Sequence, residues 1–128
     1  MALPNFFEAQ RAAPVRGNRT ATLTANGQIV LPAGVMLRRI YFRNRTATAV
    51  TGGIRIGTSA GGTQIVTAQA IGANAIVSAL PTIENYQAAA QTLFVEAVTA
   101  WAGAQVDVVV QYEEITTRTQ PSDNNVQT

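Results

Sequence analysis

The segment 57–61, GTSAG, comes closest in residue types and spacing to a catalytic motif. It matches G-x-S-x-G, in which the serine lies on a sharp turn between a strand and a helix and a histidine accepts its proton. The chain contains no His, and a glycine and a β-branched run stand where the helix should begin. We therefore interpret Ser59 as part of a glycine-rich turn, and we predict that the protein is not an enzyme.

The residues that usually hold metals and cofactors are also missing. The chain has no Cys and no His, which are the commonest ligands of structural and catalytic zinc. Glu113 and Glu114 are adjacent in a predicted strand, so their carboxylates point to opposite faces. The glycine pairs at 52–53 and 61–62 lack the Gly-Lys-Ser/Thr of a phosphate-binding loop. We predict no catalytic, metal or cofactor site, and the absence of Cys leaves the redox compartment open.

Basic residues beside aromatic ones give the best indication of a binding surface. All nine basic residues are Arg, which suits interfaces because its planar guanidinium is weakly hydrated, although a high-GC coding bias gives the same composition. Four of them flank Tyr41 and Phe42: Arg38, Arg39, Arg43 and Arg45. Such a cluster can follow a nucleic-acid backbone, but the net charge is only +2. We interpret the cluster as a protein-facing or salt-bridged surface, with nucleic acid the less favoured partner.

Charge is unevenly distributed along the chain. The first half holds eight of the nine arginines and one acid, whereas the second half holds the other six acids and one arginine. Pairing of strands within one domain would neutralise this asymmetry, and we favour that explanation. Contacts of opposite sign between subunits are the alternative, in which charge complementarity sets register and partner choice.

The elements that position these residues are predicted to be short strands, because apolar and polar residues alternate with turn signals between them. Asn26-Gly27 predicts a hairpin between its flanking strands, and Ile40 and Phe42 are expected in the core. The segment 82–91 is the one place where a short helix could form, with Thr82 as its cap. The predicted strands are 20–25, 28–31, 35–44, 49–57, 63–70, 73–79, 92–99 and 104–115.

About eight antiparallel strands predict an all-β fold, a β-sandwich or jelly roll, over residues 19–115. A small barrel, or a sandwich completed by another subunit, stays open as an alternative. Residues 1–18 are predicted to form an extended N-terminal arm, and residues 116–128 a polar C-terminal tail. No apolar run approaches the roughly twenty residues that span a bilayer, and no secretory signal is recognisable, so we expect no membrane association.

Four stretches carry a resemblance to a known family: LTANGQIVLPAG (23–34), NRTATAVTGGIRIGTSAGGTQIV (44–66), AIGANAIV (70–77) and AAQTLFVEAVTAW (89–101). Together they cover most of the chain from about residue 20 to 112. In these stretches the sequence resembles the capsid cement, or decoration, proteins of tailed bacteriophages. The resemblance implies a β-rich homo-oligomer on the outer surface of the virion capsid, where it clamps neighbouring copies of the major capsid protein.

The resemblance assigns no catalytic or ligand-binding residue. A dimer is favoured over a trimer because two-fold symmetry is the commonest closed assembly. The candidate capsid contacts, chosen from composition, are the arginine cluster and four residues near the chain ends: Phe6, Phe7, Arg11 and Arg118. Two alternatives remain open: a tail, neck or head-fibre component of a virion, and a receptor- or carbohydrate-binding β-sandwich with Trp101 as a sugar platform.

Overall fold

The computed structural model describes residues 15–82 and 86–114, and over these residues the protein is all-β, with no helix. The strands are β1 (Val15–Leu23), β2 (Gly27–Leu31), β3 (Val35–Asn44), β4 (Val50–Gly57), β5 (Val66–Ile71), β6 (Ile76–Ala79), β7 (Tyr86–Gln87), β8 (Gln91–Ala97) and β9 (Val106–Glu114). The predicted all-β class is confirmed. Because β1 begins at Val15, residues 15–18 of the predicted arm lie in a sheet, whereas residues 1–14 and 115–128 lie outside the described part of the chain.

The strands form two antiparallel sheets that pack face to face as a sandwich. The first sheet has the order β1-β9-β3-β6, with β7 also beside β3, and the second has the order β2-β8-β4-β5. The pairs β1–β9, β2–β8, β3–β6 and β4–β5 are those of a long antiparallel ribbon folded at its middle and wrapped around a core. This arrangement is the jelly-roll topology, to which the two-residue strand β7 is an addition.

The core lies between the two inner faces, where alternate residues of each strand meet. Alternate residues of β8 and β9 face this core, since Leu93, Val95, Val106, Val108 and Val110 are fully buried. The remaining large residues with no exposed surface come chiefly from β3 and β4: Ile40, Phe42, Ile54 and Ile56. Burial of aliphatic and aromatic side chains of this size contributes about 1.5–3 kcal/mol each, so these four strands hold the two sheets together.

A β-bulge in β3 changes which side of the strand faces the core. The prediction that Ile40 and Phe42 lie in the core is confirmed, but strict alternation would then place Val35 and Leu37 on the opposite face, whereas all four are buried. The register with β9 shifts between Leu37 and Arg39, so that Arg38 is an extra residue on this strand. The bulge leaves both Arg38 and Arg39 exposed, although neighbouring residues of a regular strand point to opposite faces.

The Asn26-Gly27 turn does not form the predicted hairpin. It connects β1 in the first sheet to β2 in the second, and each of these strands pairs with a strand far along the chain. The side-chain Oδ1 of Asn26 accepts hydrogen bonds from the backbone N–H of Ala97 at 3.1 Å and from the indole Nε1–H of Trp101 at 2.7 Å. The connection between the two sheets is favoured over a hairpin because both strands then direct apolar residues, such as Leu23 and Ile29, towards one core.

The short helix predicted over 82–91 is also wrong in its described part. Tyr86 and Gln87 form β7 beside β3, and β8 already begins at Gln91. Thr82 does not cap a helix, because its hydroxyl donates to the carbonyl oxygens of Gln64 and Ile65 at 3.0 and 2.8 Å. Pairing with the edge of β3 therefore overrides the local helix propensity of this segment, as tertiary contacts routinely do.

Two glycines with positive φ offer a matched test of the packing around β4. Gly53 lies at the irregular register between β4 and β5, and a Cβ there would clash with the carbonyl oxygen of Gln69. Gly61 has a similar φ of 77°, but a Cβ there would meet nothing within 4 Å. We expect Gly61→Ala to cost about 1–2 kcal/mol of unfolding free energy and Gly53→Ala about 3 kcal/mol or more. Urea unfolding measures both values, and equal losses would contradict the close approach.

Candidate protein-interaction surface

The outer face of the first sheet carries most of the described arginines. We call it the arginine face, and its arginines are Arg16 on β1, Arg38, Arg39 and Arg43 on β3, and Arg45 just beyond the end of β3. The bulge places two of them side by side, and the regular pairing of β3 with β9 brings Arg43 opposite Asp107. The structure thus gathers on one face the four arginines of the sequence-predicted cluster and adds Arg16.

Two carboxylates on β9 neutralise part of this charge. Glu113 accepts a hydrogen bond from Nε of Arg16 at 2.9 Å and lies 3.4 Å from Nε of Arg38. The Arg16 side chain is 80% exposed, so this pair contributes little to stability. Its effect is instead to orient the two guanidinium groups along the sheet.

Asp107 is held more firmly. Its carboxylate accepts hydrogen bonds at 2.7 Å from the hydroxyl of Thr22 and at 2.7 Å from Nε of Arg45. The hydrogen bond from Thr22 is the main cause of a pKa below the usual value for this carboxyl, although burial acts in the opposite direction. The hydrogen bond and charge of Arg45, and the charge of Arg43, lower the pKa further.

Two arginines of this face have no such partner. Within residues 15–82 and 86–114, neither Arg39 nor Arg43 forms an ion pair with another described residue, and both are exposed. Five arginines therefore face two carboxylates, which leaves the surface positively charged. Every described ion pair joins an arginine of the first half of the chain to an acid of the second, as expected if strand pairing neutralises the uneven distribution.

The segment with the hydrolase-like spacing has a structural role. Residues 57–61 enter the β4–β5 loop, and the strand β5 follows them in place of a helix. The backbone N–H of Gly61 donates to Glu96 Oε1 at 2.8 Å, and the same oxygen accepts from Arg55 at 3.1 Å. Gln64 Oε1 accepts from the backbone N–H of Thr58 at 3.0 Å. These contacts hold the loop against the outer face of the second sheet.

Trp101 is also occupied by the fold. Its indole packs partly buried against the core, and its N–H is used by Asn26. The side chain therefore anchors the end of β8, and the structure gives no support to its use as an open sugar platform.

No family model matches the sequence, and no curated protein matches it either. Among the described residues, no group of three or more His, Cys, Asp or Glu is arranged to hold a metal ion. The same residues contain no helix long and apolar enough to cross a membrane.

The remaining predicted contact residues, Phe6, Phe7, Arg11 and Arg118, lie outside the described part of the chain. Sequence reasoning missed Arg16 as a member of this face, along with the acids that orient the arginines. The charge asymmetry was the available signal, but assigning Glu113 to Arg16 requires the pairing of the first strand with the last.

The lowered pKa of Asp107 predicts a specific acid sensitivity. A carboxyl with a depressed folded-state pKa contributes stability that is complete above its usual value of 3.8 and is lost as pH falls through the folded-state pKa. We expect Asp107→Asn to cost about 1–3 kcal/mol of unfolding free energy at pH 7, because hydrogen bonds to a charged group are lost. The difference from wild type should shrink below pH 3.8.

Urea unfolding from pH 7 to pH 2 measures this difference. Thr22→Val serves as the companion variant, since it keeps the carboxylate and removes the largest cause of the lowered pKa. Because its folded-state pKa then lies closer to the usual value, it should lose less stability than wild type as pH falls from 7 to 2. A constant difference between wild type and Asp107→Asn down to pH 2 would contradict the assignment.

Proposed function

We propose that the protein is a structural component of a bacteriophage head, where it binds the outer surface of the capsid and clamps neighbouring copies of the major capsid protein. The four sequence stretches that resemble capsid cement proteins support this proposal. The jelly-roll fold is compatible with it, although jelly rolls serve many functions and the fold alone does not identify one.

The arginine face is the observation that carries the proposal. It is the exposed side of an extended sheet, and the guanidinium groups of Arg39 and Arg43, which form no ion pair with another described residue, project from it. A small-molecule site is usually concave and mostly apolar, whereas an open, positively charged sheet face suits an acidic protein surface. Arg is also one of the residues enriched in protein interfaces.

The clamping mechanism would be avidity. A single contact with the capsid can be modest, but copies that each bridge adjacent subunits on a symmetric lattice resist separation together. Self-association strengthens this effect, and we propose a homodimer on two-fold positions, with a trimer on three-fold positions as the alternative.

A tail, neck or head-fibre component is the second candidate within the same kind of particle. It would use the same positive surface, but each particle would contain about a dozen copies instead of hundreds, so that lattice avidity would be lost. Nucleic acid is less favoured as the partner, because Glu113 and Asp107 lie among the arginines of the face.

Charge reversal tests the proposed surface. The double variant Arg39→Glu and Arg43→Glu should bind expanded phage heads at least about tenfold more weakly than wild type, because like charges would then face an acidic partner. Co-sedimentation with purified heads measures the bound protein over a range of protein and salt concentrations.

Arg19→Glu is the matched control. Arg19 is exposed on β1 and forms no ion pair with another described residue, but it lies on the opposite side of the strand from Arg16 and Asn18. It should bind heads within about twofold of wild type and keep its unfolding midpoint, because exposed substitutions cost little. Urea unfolding checks that the double variant is folded, since Arg43→Glu places a second acid opposite Asp107. Wild-type affinity in the double variant would contradict the use of this face.

A further inference from the structure

The outer edge of the first sheet is interrupted at the bulge of β3. On this side β6 pairs with residues 40–43 of β3, and β7 pairs with Val35 and Met36. Between them, residues 37–39 have no strand partner on this side of β3 within the described residues, although Leu37 and Arg39 pair with β9 on the other side. We call this gap the notch. It coincides with the bulge residue Arg38 and is flanked by Leu80, which directly follows β6.

Two open grooves meet at the notch. One has a volume of about 450 Å³ and runs across the arginine face past Asn18 and Gln111. The other, of about 490 Å³, runs between the edges of β5 and β6. Arg39 and Leu80 line both grooves, so these two side chains form the junction. Leu80 is 63% exposed, so its side chain is accessible at the junction.

The junction combines the guanidinium group of Arg39 with the apolar side chain of Leu80. Glu113 already engages Arg16 and Arg38, so within the described residues Arg39 is the arginine of this groove without an acidic partner. Asn18, Gln111 and Arg39 occupy one row across β1, β9 and β3. The two amide side chains can donate to and accept from the backbone of a bound segment.

We infer that the notch binds an extended protein segment in which a carboxylate is followed by an apolar residue. The Arg39 guanidinium would take the carboxylate as a bidentate pair, and Leu80 would cover the apolar side chain. The inference rests on the proposed function, because it names the chemistry that the capsid partner presents to the arginine face. An acidic segment is the complementary occupant, since Arg16, Arg38 and Arg39 line the same groove with a single carboxylate.

Nucleic acid fits this site less well than a protein segment. Binding to a phosphate backbone depends on several cations that each neutralise a phosphate, whereas two of the three arginines here are held by Glu113. The exposed Leu80 gives no contact that a phosphate would favour, but it matches an apolar side chain next to an acid.

A peptide array tests the inference with the full-length protein. The probes are short synthetic peptides whose central pair is Asp, Glu, Asn or Gln followed by Leu, Phe, Val or Ser, and fluorescence anisotropy then gives affinities for the best pairs. We expect carboxylate–apolar pairs to bind at least about tenfold more tightly than amide–apolar or carboxylate–Ser pairs. A poly-dT oligonucleotide serves as the nucleic-acid probe and should not displace them.

Arg39→Gln and Leu80→Ser should each weaken binding of the preferred peptides by about tenfold or more. Arg19→Gln is the matched control, since it makes the same change at an exposed arginine of β1 that does not line the groove, and it should leave the affinity within about twofold. Equal binding of amide and carboxylate peptides, equal losses in the two arginine variants, or displacement by poly-dT would overturn the inference.

The two proposals fail separately. If wild-type protein binds heads but shows no preference for carboxylate–apolar peptides, the notch chemistry is wrong and capsid binding stands. If the peptide preference depends on Arg39 but heads are not bound, the notch chemistry stands and the proposed function is wrong.

Discussion

The extra residue at Arg38 is the constraint on which both the core and the charged surface depend. Without it, strict alternation along β3 would bury either Val35 and Leu37 or Ile40 and Phe42, but not both pairs. The bulge lets all four reach the core. Since each such side chain contributes about 1.5–3 kcal/mol when buried, two exposed residues would cost several kcal/mol, which is a large share of the stability of a small domain.

The same bulge sets the chemistry of the outer face. It turns two consecutive arginines outward, so that Arg38 reaches Glu113 while Arg39 remains available at the groove junction. Glu113, which pairs with Arg38, lies on β9 and also pairs with Arg16 on β1. Electrostatic neutralisation and jelly-roll topology are therefore linked, because the wrapped ribbon brings basic and acidic ends of the chain side by side.

Much of the fold could be predicted from local patterns. The inward residues of β8 and β9 follow directly from alternation, and the outward position of Arg55 follows from Ile54 and Ile56. The prediction of a hairpin at Asn26-Gly27 was wrong because a local turn signal does not show which distant strands pair with the two strands that flank it. The bulge is visible in the numbering of the buried residues of β3, which is odd up to Leu37 and even from Ile40 onwards.

The candidate site was predictable as a set of arginines but not as a surface. Composition identifies Arg38, Arg39, Arg43 and Arg45, yet which of them remain unpaired depends on contacts that only the three-dimensional register supplies. Leu80 was not singled out for a similar reason, because an exposed leucine after a short edge strand looks like a core residue in sequence.

The number of copies bound per expanded head tests the capsid-binding proposal most directly. Purified protein is added to heads until binding saturates, and the bound copies are counted after sedimentation. Hundreds of copies per head, together with heads that survive a higher temperature, are the predicted result, because a ligand that binds only the intact shell stabilises it. No binding, or saturation at about a dozen copies, would contradict lattice clamping and favour a tail or neck component.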